Sequence, residues 1–380
     1  MSKRLVWICW KDIRHPEAGG AELVHHELSK RLVRDGWEVI HLVPGFKGCT
    51  PEETIDGIRV IRVGSSIFSF YQLPHYFRQH LRDGTTFLVD AFISLGSFAC
   101  LSMPAAQAAI LVHHIEDIKW FYQTRFYGVP RWVMPLFMGV GYFVEKVQLW
   151  LLAKRFRGTV ITVSESTAGE LVSHGFRREQ VRIISEGIAA TPLETLSVSL
   201  PKEERFTVLL LGPRSAKRPM HTVKAFERFQ SGHPESQLWI AGWGNEVGRV
   251  QAYVERNHIP NVVFWGRVSD LQRDELLQRA QVLCTSPLRE GWGLIVIEAN
   301  AMGTPVLGYD VPGLRDALAF GNGRLCAPNP AAMAEALAEM ATLVATDQTA
   351  YTALRQACLE SSRTFTFERA YGDFIAATGL

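Results

Sequence analysis

The sequence predicts an α/β fold with two domains, each built around a parallel β-sheet. Short apolar strands and amphipathic helices alternate along the chain, which favours parallel sheets with helices on both faces. The alternation is interrupted at residues 189–204 by two prolines, several serines and threonines and a short run of charge. Such a segment favours a domain boundary. The 380 residues, 47% of them hydrophobic, are enough for two cores.

The first half of the chain begins with an apolar strand at residues 4–10. A helix is predicted at 21–35, where leucines recur at helical spacing and Gly36 stops the helix. Residues 58–63 alternate isoleucine and valine with Arg59 and Arg62, which predicts a half-exposed strand. Further short strands are predicted at 109–112 and 159–163.

After the interruption the alternation restarts. Strands are predicted at 207–211, 237–241, 262–265 and 282–285, and helices at 220–229, 247–257 and 270–280. We therefore predict two Rossmann-like domains, residues 1–195 and 196–364, that face each other across a central cleft. Residues 365–380 are predicted to form a last helix.

Charge and cysteine content narrow the class of protein. A net charge of +2 without a concentrated basic stripe gives no support for a nucleic-acid partner. The six cysteines are scattered and none forms a Cys-x-x-Cys pair, so zinc and redox motifs lack support. Cys9 and Cys284 lie in apolar strands and are expected to be free thiols, which fits a reducing cytoplasm. The apolar run near the N-terminus is short and Lys11 follows it, so we predict a core strand there and no signal peptide.

The stretch EGWGLIVIE at residues 290–298 holds two carboxylates, Glu290 and Glu298, eight positions apart. It lies between a predicted strand and a predicted helix. Such a junction presents free backbone N–H groups and the positive end of a helix, a site that suits an anion. Gly291 and Gly293 allow a ligand to approach the backbone closely. A carboxylate on each side of these amides suits a nucleotide-sugar, which has hydroxyls at both ends and a diphosphate between them.

This stretch closely resembles the signature of the retaining, GT-B-fold glycosyltransferases of family 4. Several further segments resemble the family in the same order along nearly the whole chain: GGAE at 19–22, VITVSEST at 160–167, KRP at 217–219, AGWG at 241–244, VVFWG at 262–266 and GTPV at 303–306. The ordered set is a much stronger signal than the carboxylate pair alone. The resemblance implies the GT-B fold, in which the last helix crosses back to the first domain.

The resemblance also implies roles for individual residues. Glu290 would bind sugar hydroxyls and Glu298 the ribose diol, while Lys217 and Arg214 would bind the diphosphate. Trp292 stands where the family often has phenylalanine. The other substrate-binding candidates are Gly19 and Gly20 against the diphosphate and sugar, Gly266 and Arg267 near the base, and Gly291, Gly293 and Leu294 within the motif.

His113 is the third catalytic candidate, with Glu290 and Lys217, because a histidine at this strand end lines the family's sugar or acceptor site. A buried core histidine is the alternative interpretation. A metal site with the neighbouring histidine and acids is disfavoured, because adjacent residues in an extended segment point to opposite faces. The resemblance also implies no bound metal, since GT-B transferases do not need one, and we therefore predict no metal and no cofactor, with the nucleotide-sugar as co-substrate. For Glu22 we prefer a favourable position at a helix N-terminus to a role in the site.

Residues 132–144 are almost wholly apolar, which is too short for a bilayer span of ~20 residues. One interpretation is a buried helix of the first domain. The other is a surface contact with an anionic membrane, because aromatic and basic residues interleave between Lys119 and Arg157.

The sequence therefore predicts a cytoplasmic retaining glycosyltransferase, peripheral on the membrane where its acceptor is lipid-linked. It would transfer a sugar to a hydroxyl of a glycan, glycolipid or small molecule. A nucleotide-sugar 2-epimerase of the same fold is one alternative, although it lacks the EGWGLIVIE form of the motif. A non-catalytic nucleotide-sugar binder is another, although Lys217 and both carboxylates are present.

Overall fold

A computed structural model describes residues 3–65, 68–92, 97–115 and 134–380. The chain forms two compact units. The first comprises Met1–Gly187 and Thr366–Leu380, and the second comprises Ile188–Phe365. Each unit is built on a mainly or wholly parallel sheet with helices, so the predicted fold class is confirmed.

The first unit holds an eight-stranded sheet in the order β3-β4-β2-β1-β5-β6-β7-β8. Neighbouring strands are parallel except for β3 and β4, which are antiparallel. The strands are β1 (Arg4–Ile8), β2 (Glu38–Gly45), β3 (Glu52–Ile55), β4 (Ile58–Ser65), β5 (Thr86–Phe92), β6 (Ala108–Val112), β7 (Thr159–Thr162) and β8 (Val181–Ile183).

The helices of the first unit cover both faces of this sheet. They are α1 (Gly20–Arg34), α2 (Ser69–Tyr76), α3 (Met134–Arg155), α4 (Glu165–Ser173) and, from the end of the chain, α12 (Phe367–Thr378); a π-helical turn, Phe77–Leu81, extends α2. Helix α12 lies against α1, where Arg31 pairs with Glu368 at 2.7 Å. The ring of Phe374 stacks on Trp7 of β1 with centroids 5.5 Å apart. The last helix therefore belongs to the core of the first unit.

Arg62 departs from the prediction for its strand. Its side chain is buried, whereas the sequence predicts a half-exposed strand at residues 58–63. Arg59 and Arg62 are three positions apart and therefore lie on opposite faces of the strand. The guanidinium of Arg62 lies 2.8 and 3.0 Å from the two carboxylate oxygens of Asp12 and 2.6 Å from Glu53. A buried arginine loses its hydration, and these paired carboxylates offset that cost.

The second unit holds a six-stranded parallel sheet in the order β11-β10-β9-β12-β13-β14. Its strands are β9 (Thr207–Leu211), β10 (Gln237–Ala241), β11 (Val262–Gly266), β12 (Val282–Thr285), β13 (Val306–Tyr309) and β14 (Gly323–Cys326). Its helices are α5 (Pro219–Gln230), α6 (Val247–Arg256), α7 (Asp270–Arg279), α8 (Leu294–Ala301), α9 (Leu314–Ala317), α10 (Pro330–Thr346) and α11 (Gln348–Ser362). Because the strands are parallel, the loops that leave their carboxyl ends meet at one edge of the sheet.

All six cysteines are free thiols, and four of them are buried, including Cys9 and Cys284. No helix in the described part of the chain is both long enough and apolar enough to cross a bilayer.

Buried histidines make the stability of the first unit sensitive to acid. His41 on β2 is buried, with its Nε2 2.7 Å from the Ser29 hydroxyl. Burial lowers the pKa of His41 to about 3, with the neighbouring His26 acting in the same direction. Burial also lowers the pKa of His25 on α1 well below its ordinary value. Both rings are therefore neutral in the folded chain at pH 7.

We expect the first unit to lose stability as the pH falls below about 6.5, the ordinary pKa of histidine. The unfolded chain then binds protons that the folded chain excludes, so each such proton costs about 1.4 kcal/mol per pH unit. For His41 this decline continues down to its folded pKa of about 3. Urea unfolding measured between pH 7 and pH 4.5 should be less pH-dependent in His41→Asn. The exposed His80→Asn is the control, and equal slopes in the two variants would contradict the assignment.

Candidate functional site

The loops at the carboxyl edge of the second sheet contact one another through their backbones. Gly212 donates its N–H to the carbonyl of Ala241 at 2.9 Å, and Gly242 donates to Gly266 at 2.7 Å. A Cβ atom added to Gly244 would lie 2.0 Å from the carbonyl oxygen of Pro213. Only glycine permits this approach, so the loops after β9 and β10 form one surface.

Lys217 and Glu290 meet at this edge, although 73 residues separate them in sequence. Lys217 ends a short 3₁₀ turn after β9, and Glu290 lies in the loop between β12 and α8. Their side chains form an ion pair, and both are partly buried. The structure thus brings together two of the three predicted catalytic candidates.

Ser286, which the sequence analysis missed, fixes the loop that carries Lys217. Its hydroxyl lies 3.2 Å from the carbonyl oxygen of Lys217 and 3.0 Å from that of Arg218. The hydroxyl of Thr222 lies 2.9 Å from it on the other side. A buried hydroxyl with these partners joins the end of β12 to the loop after β9. Its position directly after a predicted strand was the available signal.

Arg218 continues the loop in a left-handed conformation, with φ of +47°, at the N-cap of α5. Its Nη2 lies 2.6 Å from Nε2 of His221, whose Nδ1 lies 3.0 Å from the hydroxyl of Tyr309. Burial, reinforced by Arg218, lowers the pKa of His221 to about 4. His221 is therefore neutral at pH 7 and accepts a hydrogen bond from Arg218 through Nε2.

Two glycines shape the loop around Glu290. Gly293 has φ of +98° and is the N-cap of α8, so that Leu294 begins the helix. Gly313 has φ of +82°, and a Cβ atom added to it would lie 2.2 Å from the carbonyl oxygen of Glu290. The backbone at Glu290 and Gly291 is thus held between the start of α8 and the loop after β13. The first amides of a helix lack intrahelical partners and favour an anion.

Glu298 lies one turn after Leu294 on α8 and approaches α7. Its carboxylate is 3.5 Å from Nη1 of Arg273, which also pairs with Asp270 and Asp274. Burial raises the pKa of Glu298 above its ordinary value, and the positive charge of Arg273 offsets part of that rise. Arg273 was not predicted, because it is 25 residues from Glu298 and lies in a helix with several other charges.

The other predicted residues of the second unit differ in exposure. Arg214 and Arg267 reach solvent, and Gly266 ends β11 with φ of +65°. The ring of Trp292 packs against Phe365 with centroids 5.4 Å apart. Its buried indole N–H has no hydrogen-bond partner among the described residues. Trp292 therefore contributes to packing beneath the loop in which it lies.

Gly19 and Gly20 lie at the start of α1 in the first unit. The N–H of Gly19 donates to the carboxylate of Glu22 at 2.7 Å. This hydrogen bond satisfies an amide at the helix end, as the preferred interpretation of Glu22 requires.

His113 is buried in the first unit and both of its ring nitrogens face protein groups. Its Nε2 is 2.9 Å from Nε2 of His25, and its Nδ1 is 3.5 Å from Glu186. Nδ1 of His25 and one carboxylate oxygen of Glu186 are buried without hydrogen-bond partners in the described part of the chain. These contacts favour the core-histidine interpretation of His113. Neither His25 nor Glu186 was predicted.

No group of three or more histidines, cysteines and acids with a metal-binding arrangement occurs among the described residues. The two acids that follow His113 and His114, at positions 116 and 117, lie outside them, as do all of the aromatic and basic residues from Lys119 to Trp132.

Two protein-family descriptions match the chain in tandem. Residues 18–191 match the family described as "Glycosyltransferase Family 4", and residues 193–357 match "Glycosyl transferases group 1". The division between the two matches lies close to the division between the two structural units.

Two relatives illustrate the sequence similarity. The chain is 31% identical over 119 residues to poly(glycerol-phosphate) α-glucosyltransferase of Bacillus subtilis, which covers 31% of this chain and 18% of that protein. It is 27% identical over 362 residues to glycogen synthase of Mycobacterium tuberculosis, covering 87% of this chain and 83% of that protein.

Solved structures share the fold over the full length of the chain. Sucrose-phosphate synthase of Thermosynechococcus elongatus has a TM-score of 0.75 and 20% identity, covering 98% of this chain and 97% of that chain. Anabaena HepE, solved in complex with UDP-glucose, has a TM-score of 0.68 and 17% identity, covering 99% of this chain and 100% of that chain.

We expect Gly313→Ala to disturb the loop that carries Glu290. The new methyl group would collide with the Glu290 carbonyl, and such overpacking costs about 1–3 kcal/mol. Gly321→Ala is a matched control, because Gly321 also has a positive φ but a Cβ atom added to it would have no neighbour within 4 Å. Amide hydrogen exchange at residues 290–293 should accelerate in Gly313→Ala alone. Equal exchange in the two variants would show that the contact does not hold the loop.

Proposed function

Because the chain belongs to the GT-B-fold glycosyltransferases of the family 4 type, we propose that it is a retaining, metal-independent enzyme that takes its sugar from a nucleotide diphosphate-sugar. The observation that carries this proposal is the contact between Lys217 and Glu290 at the carboxyl edge of the second sheet. A cation for phosphate and a carboxylate for sugar hydroxyls lie side by side there, next to the start of α8.

Transfer breaks the bond between the anomeric carbon and a phosphate oxygen, so negative charge grows on the departing diphosphate. Lys217 would stabilise that charge, with Arg214 nearby in the same loop and the first amides of α8 as donors. Donor binding would replace the ion pair of Lys217 with Glu290. The ammonium would then contact the diphosphate, and the carboxylate would accept hydrogen bonds from the sugar.

Glu298 would bind the ribose diol, for which an ionised carboxylate offers two acceptor oxygens. Burial raises the pKa of Glu298, so this carboxylate takes up a proton at a higher pH than an exposed glutamate does. Affinity for the donor would weaken as the pH falls and the carboxylate is protonated. Arg273, 3.5 Å away, favours the ionised form and restrains the side chain.

The proposed reaction uses no covalent nucleophile. The leaving phosphate would help to deprotonate the acceptor hydroxyl on the same face of the sugar, so that the configuration at the anomeric carbon is retained. The protein would contribute positioning and electrostatic stabilisation. Lys217 and the backbone donors would stabilise the negative charge of the diphosphate. Their presence supports a reaction that needs no metal ion.

A UDP-sugar is the donor to test first, because the structure of Anabaena HepE was solved with UDP-glucose. A glycan or glycolipid of the cell surface is our proposed acceptor. The name of the Bacillus subtilis relative, a poly(glycerol-phosphate) glucosyltransferase, supports a polymer acceptor of that kind.

We further propose peripheral contact with an anionic membrane through one face of α3. Val140, Phe143, Val147 and Trp150 recur at helical spacing and have relative exposures of 36–67%. The opposite face, which includes Leu149 and Leu152, is buried. Lys146 and Lys154 lie over the rings of Tyr142 and Trp150, so cations flank the exposed apolar face. Apolar and basic side chains together suit the interface of an anionic bilayer.

Phe143→Ser with Trp150→Ser should reduce co-sedimentation with phosphatidylglycerol vesicles, because it removes the largest apolar groups of that face. Wild-type binding should weaken as salt rises, since charges are screened beyond ~8 Å at physiological ionic strength. Leu271→Ser, which alters an exposed leucine of the second unit, is the control. Equal binding of both variants, or no wild-type binding at low salt, would contradict the membrane contact.

The function is tested by incubating the protein with UDP-, GDP- and ADP-sugars, with and without acceptor glycans and a metal chelator. We expect slow donor hydrolysis, faster transfer with the right acceptor, and no effect of the chelator. The anomeric configuration of the product, read by NMR, tests retention. A changed sugar in the recovered nucleotide would indicate an epimerase, and affinity without turnover would indicate a binding protein.

In calorimetric titrations Lys217→Ala should weaken nucleoside diphosphate binding at least about tenfold, because a charged hydrogen bond contributes ~1.5–3 kcal/mol. Its affinity for the bare nucleoside should not change. Lys224→Ala is the matched control, since Lys224 lies over the ring of Tyr253 in the same unit. Equal losses for nucleoside and diphosphate would assign Lys217 a structural role.

A further inference from the structure

A pocket of about 360 Å³ lies at the amino ends of strands β6 to β8 in the first unit. Arg157, Gly158, Arg177, Glu179 and Gln180 line it. These strands are parallel, so the pocket is at the opposite edge of the sheet from His113, which follows the carboxyl end of β6.

The pocket is built by a close approach of the backbone. Gly158 follows α3, and a Cβ atom added to it would lie 2.5 Å from the carbonyl oxygen of Ala108 and 2.8 Å from that of Ala105. Only glycine fits there without a shift of the backbone. This close approach fixes the backbone next to Arg157, at the start of β7.

Gln180 contributes a hydrogen-bond donor that lacks an acceptor. The residue is 7% exposed, and its Oε1 accepts a hydrogen bond from Nε of Arg177 at 3.1 Å. Its Nε2 is buried and has no partner among the described residues. A buried amide N–H without an acceptor is unfavourable, so an acceptor that reaches it from the pocket would be favoured.

The two arginines of the pocket add further donors. Within the described ranges neither Arg157 nor Arg177 forms an ion pair, and the contact of the Arg157 guanidinium is a 3.5 Å hydrogen bond to the carbonyl of Phe156. The carboxylate of Glu179 offsets one of these two positive charges. Guanidinium groups present paired donors that match the oxygens of phosphate.

We propose that this pocket binds the phosphate group of a phosphate ester through Arg157, Arg177 and the amide of Gln180. Its volume is within the range of about 300–1,000 Å³ found for small-molecule sites, which leaves room for the alcohol of an ester beside the phosphate. A soluble sugar phosphate or glycerol phosphate and a phospholipid headgroup share this chemistry.

If the phosphate group belongs to a phospholipid, the proposal extends the membrane contact proposed for α3 and rests on it. Arg157 is two residues beyond the end of α3, whose last turns expose Trp150 and Lys154. Contact of this end of the helix with a bilayer would bring the pocket towards the headgroups. The soluble source requires no membrane.

The test compares the full chain with Arg157→Gln/Arg177→Gln, using glycerol 3-phosphate as the probe in isothermal titration calorimetry. We expect at least a tenfold loss of affinity in this double variant. Arg82→Gln/Arg178→Gln is the charge-matched control, because both arginines are exposed in the same unit and do not line the pocket. Glu179→Gln should bind more tightly, since it removes the opposing charge.

Vesicle co-sedimentation distinguishes the two sources. If the pocket takes a lipid headgroup, Arg157→Gln/Arg177→Gln loses phosphatidylglycerol binding beyond the control, and glycerol 3-phosphate competes. If it takes a soluble ester, the calorimetric loss occurs without a change in sedimentation. Equal behaviour of the two double variants in both assays, or no wild-type binding of either probe, overturns the proposal. Donor hydrolysis should persist in every variant, so failure of this proposal is distinct from failure of the proposed enzyme activity.

Discussion

The functional site of the second unit depends on close backbone contact between loops at one sheet edge. Gly244 lies against Pro213, and Gly313 lies against the carbonyl of Glu290, at distances that exclude any side chain. These contacts, with the hydroxyl of Ser286, fix the relative positions of three loops. Lys217 and Glu290 meet only because those loops do. The positions of the two charged side chains therefore depend on uncharged residues in the loops.

The first unit differs from the second in that several of its polar side chains are deeply buried. The pair of Arg62 with Asp12 and the contacts of His113 with His25 and Glu186 lie inside the unit. Each group needs a partner, since an unpaired buried polar atom is costly. Two atoms of these groups, Nδ1 of His25 and one carboxylate oxygen of Glu186, still lack a partner among the described residues, which suits internal water more than a ligand on the surface. Polar residues at strand ends are thus not all site residues.

The sequence predicted the second unit well, because its strands are short, apolar and separated by helices of clear periodicity. The strands at 207–211, 237–241 and 282–285 have the predicted limits. The family resemblance assigned Lys217 and Glu290 to one donor site, but their ion pair was not predicted. The half-exposed strand at residues 58–63 was misjudged, since Arg59 and Arg62 lie on opposite faces and the sequence does not show that Asp12, in a loop, pairs with Arg62. The contact of Glu186 with His113 could not be predicted, because Glu186 follows β8 and His113 follows β6, strands that β7 separates in the sheet and that share no local sequence pattern.

The ion pair of Lys217 with Glu290 also bears on how the proposed reaction would end. An intact donor offers its diphosphate to the Lys217 ammonium and its sugar hydroxyls to the Glu290 carboxylate. Each side chain therefore gives up the other and gains a partner on the donor. After transfer, the remaining nucleoside diphosphate still engages Lys217 but leaves Glu290 without hydroxyls. The carboxylate then competes with the diphosphate for the same ammonium, and a charged group without a partner is costly in a partly buried position. In this scheme the pair disfavours the product relative to the substrate, and re-forming it promotes release.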